Sequence, residues 1–291
     1  MGNERTGERG KKGGAKLQER DAEVLGALEL WGVLGLGQID ALAFHKGFGE
    51  VERTRLFFNE YGEDLYRLSG YKRLQDLKRS GNVEAHFYRD FPMVFTLTTR
   101  GHRALKRAGL ARLPGFRRSV SGHLIEHEIL VNAVGLVLSR LHGLTVRTVR
   151  ERMDWNSRGG WSHTTSRARI PDLWVSDPEE PKAIEVELNR KASQLYPGIW
   201  VSYQTALPRN GAVLYLTSWP SGPESVLRQA GRLGMQFVYV SDLEGFKASA
   251  GRCVFHNCEG RSLRLASASS GAVSAAPEAP VPVLETIGGA V

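Results

Sequence analysis

Residues 183–188 read Ala-Ile-Glu-Val-Glu-Leu, apolar and acidic side chains alternating with a period of two. On a helix these side chains would scatter around the axis. On a strand Ile184, Val186 and Leu188 share one face while Glu185 and Glu187 share the other. The segment therefore reads as a strand with one apolar face to bury, and that requires a sheet with a second layer against it. Just upstream, Ile170-Pro-Asp-Leu-Trp-Val175 is another short apolar run, and the connection 176–182 holds two prolines among acidic residues. That composition suits a hairpin. Pairing of the two runs brings Asp172 near Glu185.

The surrounding pattern extends this sheet. Residues 120–141 carry Leu124, Ile125, Ile129, Leu130, Val134, Val137 and Leu141, and read as a long buried helix. Strand-like segments follow at 144–155, 170–175 and 183–188, then a helix at 190–206. A strand at 212–216, a helix at 221–233 and a strand at 236–240 complete the run. Helix, three strands, helix and strand is the order of an α/β sheet domain.

The N-terminal part differs in charge. The chain of 291 residues has a formal net charge of +8. Between residues 65 and 118 thirteen Lys/Arg face three Asp/Glu, so this stretch alone exceeds the charge of the whole chain. An excess so concentrated is the footprint of phosphate contact. Its pattern reads as a helix at 20–34, a break at Gly35–Gly37 and a short helix at 38–44. Next comes a basic helix at 70–80 with Leu74 and Leu77 inward and Gly81 as its stop. Two strands, 83–88 and 94–98, and a helix at 99–108 follow. Helix, helix, basic helix and hairpin is the order of a winged helix-turn-helix, whose third helix enters the major groove. Arg67, Lys72, Arg73, Gln75, Lys78, Arg79 and Arg89 are the expected DNA contacts. A rival placement puts the recognition helix at 51–61; the hairpin directly after 70–80 favours the latter. The expected fold is α/β (α+β overall), an N-terminal winged helix-turn-helix followed by a restriction-endonuclease-like α/β domain. The expected units are a basic arm at 1–16, the winged helix at 17–111, a linker at 112–119, the α/β domain at 120–258 and a disordered tail at 259–291.

Asp172, Glu185 and Glu187 gathered on one face repel one another, and a divalent cation relieves that repulsion. Mg²⁺ favours one or two carboxylates with waters and phosphate oxygens, so Asp172 and Glu185 are the expected metal ligands. Glu187 would assist the metal or its water, and Lys191, four residues on, would neutralise developing charge. The polar loop 156–169 carries Arg158, Arg167 and Arg169 and reads as a flap over substrate. His123 and His127 are four apart on a helix, but no third zinc ligand is evident. Cys253 and Cys258 read as free thiols, because a structural zinc needs four ligands. No GxxxxGK[ST] loop is present, so ATP use is not indicated. Two cysteines, no long apolar run and no apolar leader point to a soluble cytoplasmic chain with no membrane partner.

Pro171-Asp172, then Glu185-x-Glu187 after a short connection, then Lys191, resembles the PD-(D/E)xK restriction-endonuclease-like superfamily. Glu187 stands where that superfamily usually has lysine, and Lys191 is displaced. The whole arrangement resembles, more specifically, the replication-relaxation family, which includes plasmid mobilisation accessory proteins. Three stretches carry the likeness: Arg73-Leu-Gln-Asp-Leu-Lys-Arg-Ser-Gly81 with Leu97-Thr-Thr-Arg-Gly101; His127-Glu-Ile-Leu-Val-Asn132; and Pro171-Asp172 with Glu185-Val-Glu-Leu-Asn-Arg-Lys191 and Tyr203. The resemblance implies a role on double-stranded DNA in mobile-element replication or transfer, beside a relaxase or replication protein. Two functions follow: a Mg²⁺-dependent DNA endonuclease or nickase, and a non-catalytic relaxosome accessory protein or winged-helix transcriptional regulator.

Overall fold

The computed structural model describes residues 17–44, 69–88, 91–113, 124–151, 170–176, 181–249 and 252–265. Arg67, Arg89, the rival helix 51–61, most of the linker, His123 and the loop 156–169 lie outside them.

In the N-terminal part, α1 (Glu19–Trp31), β1 (Val33–Gly35), α2 (Leu36–Ala43) and α3 (Ser69–Arg79) precede β2 (Val83–Tyr88), β3 (Phe91–Leu97) and α4 (Thr99–Arg107). The strands form an antiparallel sheet in the order β1-β3-β2. Val24, Leu25 and Leu28 of α1, Leu36 and Ile39 of α2, and Leu74 and Leu77 of α3 bury against Phe95 and Leu97 of that sheet. The apolar spacing of α3 is thus inward as expected. Gly81 ends that helix with φ +73. Its N–H donates to the Lys78 carbonyl at 2.9 Å and the Asn82 N–H to the Leu77 carbonyl at 2.9 Å. This left-handed turn favours glycine because it lacks the Cβ that would crowd the carbonyl.

The first expected helix stops three residues early. Gly32 turns the chain at φ +82 and residues 33–35 pair with β3 instead of continuing the helix. The cause is distant in sequence: the Asn132 amide donates to the carbonyls of Trp31 and Val33, and holds the segment extended.

The second part begins with α5 (Ile125–Leu136), continued by a π-helical turn at Val137–Leu141. It continues with β4 (Val146–Thr148), β5 (Leu173–Val175), β6 (Lys182–Glu187), a 3-10 turn at Ser193–Leu195, α6 (Tyr196–Ala206) and β7 (Ala212–Thr217). The last elements are α7 (Gly222–Arg232), β8 (Val238–Asp242), α8 (Leu243–Ala248), β9 (Val254–Asn257) and β10 (Ser262–Arg264). Seven strands form one mixed sheet in the order β10-β9-β8-β7-β6-β5-β4. β4, β5 and β6 run as an antiparallel meander, and β6, β7 and β8 are parallel. The chain is therefore mixed α/β. The expected tail from 259 needs correction at its start. β10 pairs with β9, placing Ser262 opposite His256, so the sheet continues through Arg264. The connection 258–261 is four residues long and closes a short hairpin that the local pattern does not announce, and α8 is likewise an element beyond those expected.

Helices cover both faces of this sheet. On one face α5 and α8 bury Leu130, Val134, Leu243 and Phe246 against Ile184, Val186, Leu214 and Leu216. On the other, α6 and α7 bury Tyr196, Trp200, Tyr203, Val226 and Ala230 against Ala183, Val213, Tyr215 and Val240. α5 also packs on the N-terminal part. Ile129 meets Val33 and Val94, and the Gln38 amide donates to the Ile129 carbonyl at 2.8 Å. A Cβ at Gly135 would come within 2.6 Å of the Trp31 ring, so the helix needs glycine there to approach α1. Among the described residues, no helix is long and apolar enough to cross a membrane.

Candidate functional site

β6 alternates as its sequence demands. Ile184 and Val186 face α5, while Glu185 and Glu187 face α6. The acidic face, however, is not a solvent face. Glu185 is 2% exposed and Glu187 3% exposed. α6 closes over them with Tyr196, Trp200 and Tyr203, a spacing of four and three that puts all three rings on one side of the helix. That spacing, followed by an unbroken apolar β7, is the sequence signal that this strand face is covered.

Each carboxylate has donors within the protein. Tyr203 donates its phenol to Glu185. Tyr196 donates to Glu187 Oε2 at 3.0 Å, and the Lys191 ammonium reaches Glu187 Oε1. Burial, reinforced by the Glu187 charge and the hydrogen bond to it, pushes the Tyr196 phenol upward, so it stays a neutral donor. Tyr196 stacks on Trp200 with ring centroids 5.1 Å apart, and the Trp200 indole N–H donates to the Tyr215 hydroxyl at 3.1 Å. The aromatic layer fixes both phenols where they meet the acids.

Asp172 sits one residue before β5, and Leu173 pairs with Ile184. The expected juxtaposition of Asp172 and the Glu185 region therefore holds in register. Its Oδ2 accepts the Val186 N–H at 2.8 Å. His127 of α5 completes the corner. Its Nε2–H donates to the Val186 carbonyl at 2.9 Å and lies 3.3 Å from Asp172 Oδ2. A carbonyl can only accept, so that nitrogen carries the proton. β5 begins at Leu173, opposite Ile184, too late in the chain to pair with Val186, and these two side chains take the place of the missing strand residue. Burial pulls the His127 ring down, but the Asp172 carboxylate, the Val186 carbonyl and the Glu128 charge outweigh it and raise the ring to about 8.

Two of the three carboxylates thus face a cation, Asp172 with His127 and Glu187 with Lys191, while Glu185 accepts the neutral Tyr203 phenol. Carboxylates suit Mg²⁺ by type, but here Asp172 Oδ2, Glu185 Oε1 and both Glu187 oxygens already hold a proton donor or a cation. The arrangement does not fit a Mg²⁺ ion held by Asp172 and Glu185, and among the described residues no group of three or more His, Cys, Asp or Glu side chains is placed to hold one. Cys253 and Cys258 are free, half-buried thiols.

The expected DNA contacts fall into two sets. Lys72, Lys78 and Arg79 are exposed on α3, with Arg79 paired to Asp76 at 2.9 Å and Gln75 half-buried beside them. Arg73 points elsewhere. Its Nε and Nη2 donate to the two oxygens of Asp21, a carboxylate 2% exposed on α1, and this pair raises the guanidinium pKa. Arg73 fastens α3 to α1. The second stretch of the resemblance, from His127 to Asn132, is likewise structural at both ends: His127 bonds the end of β6, and Asn132 holds β1.

A scan against known protein families finds no match, and a search of curated proteins finds no relative.

Proposed function

We propose that this protein binds double-stranded DNA through a winged-helix unit formed by its N-terminal part, and that the nuclease-like α/β domain behind it serves as a scaffold without cleaving. The observation that carries the reading is α3. Its apolar side is locked in the core by Leu74 and Leu77, while Lys72, Lys78 and Arg79 project into solvent immediately before an antiparallel hairpin. A basic helix fixed in this way can meet phosphates and base edges while the hairpin lies along the backbone. The scaffold reading is supported by the acidic centre, whose carboxylates are already engaged by His127, Lys191 and two phenol donors.

The resemblance to the replication-relaxation family suggests the setting, replication or transfer of a mobile element beside a relaxase or replication protein. Transcriptional regulation through the same winged helix is compatible with it. A second reading, a Mg²⁺-dependent endonuclease or nickase using Asp172, Glu185, Glu187 and Lys191, draws support from one observation. Asp172 heads the strand paired with β6, as the PD-(D/E)xK resemblance implies. Supercoiled plasmid incubated with the protein and Mg²⁺ or Mn²⁺ separates the two. The proposal expects retarded but intact plasmid. Nicking by the wild type that is abolished in Glu185→Ala would replace it with the nuclease reading.

A further inference from the structure

α4 is strictly two-sided. Gly101, His102, Ala104 and Leu105 are buried, and Arg100, Arg103 and Arg107 are exposed. Spaced by three and four, the arginines lie on one face of the helix. α4 contains no acidic residue, and among the described residues no ion pair engages these three arginines.

This helix is joined rigidly to the end of α3. The Thr98 hydroxyl donates to the carbonyls of Gly81 at 2.7 Å and Asn82 at 3.0 Å, while accepting the Gly101 N–H at 3.0 Å. α4 meets the turn after α3 so closely that a Cβ at Gly101 would come within 2.2 Å of the Asn82 carbonyl oxygen. Arg100 lies across the turn, its Cδ 3.6 Å from where a Gly81 Cβ would stand. Lys78 and Arg79 precede that turn on α3. Arg100 therefore stands at the Gly81 corner, next to the helix end that carries Lys78 and Arg79, and Arg103 and Arg107 continue from it along the exposed face of α4.

We infer that this corner is a second phosphate-binding surface, on which Arg100, Arg103 and Arg107 engage the DNA backbone beyond the segment read by α3. The inference rests on the DNA-binding reading above. The charge selects the partner: a membrane-surface helix would need an apolar side facing outward, whereas the apolar side of α4 is buried in the core. A polyanion of regular spacing suits arginines held on one helical face. Contacts of this kind carry no sequence information, so the corner adds affinity and register, not specificity.

The test measures binding of a 30-bp duplex by fluorescence anisotropy between 50 and 200 mM salt. It compares the wild type, the Arg100→Gln/Arg103→Gln/Arg107→Gln variant and the corresponding triple Lys variant. Loss of three phosphate contacts lowers the slope of log K against log salt by roughly 2.7, so the wild type loses roughly 40-fold more affinity than the Gln variant across that range. The loss should be equal on duplexes of unrelated sequence, and the Lys variant should keep the wild-type slope. All substituted positions are exposed, and unchanged circular dichroism verifies the fold. A Gln variant with the wild-type slope overturns the inference while leaving DNA binding intact, and so does a Lys variant that falls as far as the Gln variant. Absence of wild-type binding overturns the underlying DNA-binding reading as well.

Discussion

Replacing Arg73 tests whether that basic residue holds the fold together or reads DNA. Asp21 is 2% exposed and takes both oxygens' worth of hydrogen bonds from the Arg73 guanidinium, with a further bond from the Gln18 N–H at 2.9 Å. Arg73→Gln leaves a buried carboxylate facing a neutral amide. Breaking a fully buried pair costs about 3–5 kcal/mol. Arg73 itself is 30% exposed, so solvent softens the penalty, and a loss of about 2–3 kcal/mol is expected. Asp21→Asn with Arg73→Gln removes both charges and keeps an oxygen for the Gln18 N–H. The double variant should recover about half the loss, a coupling of about 1–2 kcal/mol in a double-mutant cycle. Urea denaturation followed by circular dichroism measures all four proteins. Below the unfolding transition the double variant should bind duplex DNA within about threefold of the wild type. A single-variant cost under about 0.5 kcal/mol, strictly additive effects, or a folded double variant that has lost DNA binding would refute the structural assignment.

Three further outcomes follow from the geometry. His127 is held at about 8, above its ordinary 6.5, so the protonated ring stabilises the fold fully below about pH 6.5. That contribution, about 2 kcal/mol at most, disappears as pH rises through 8. The stability gap between wild type and His127→Gln in urea should close over this window, and a gap independent of pH would contradict the corner described. Tyr203→Phe removes a phenol donor from buried Glu185 and should cost about 1–3 kcal/mol in urea denaturation, whereas a cost near zero would mean the acid is satisfied without it. Gly101→Ala drives a Cβ into the Asn82 carbonyl; a thermal melt should register about 1–3 kcal/mol of destabilisation, and unchanged stability would contradict the tight α3–α4 corner.

The elements legible in the sequence were those whose pattern is local. The alternation in 183–188 fixed the two faces of β6, and Leu74 with Leu77 oriented α3, because period alone decides both. β1 escaped because its extended form depends on β3 and on the Asn132 amide, 99 residues from Val33. The site was legible in membership but not in environment. Asp172, Glu185, Glu187 and Lys191 stand out by residue type and spacing, but the burial of the acidic face does not. Its cover is α6, whose Tyr196–Trp200–Tyr203 stripe names the donors but not the strand they meet. Arg73 illustrates the same limit: its charge is visible in sequence, but its partner on α1 lies 52 residues away.

The measurement closest to the central claim is duplex binding by the wild type and by a Lys72→Gln/Lys78→Gln/Arg79→Gln variant, across a salt titration. The account predicts tight wild-type binding whose log K falls linearly with log salt, and a variant with weaker affinity and a slope lower by roughly 2–3. Equal affinity and slope for the two folded proteins, or no wild-type binding at low salt, would contradict it.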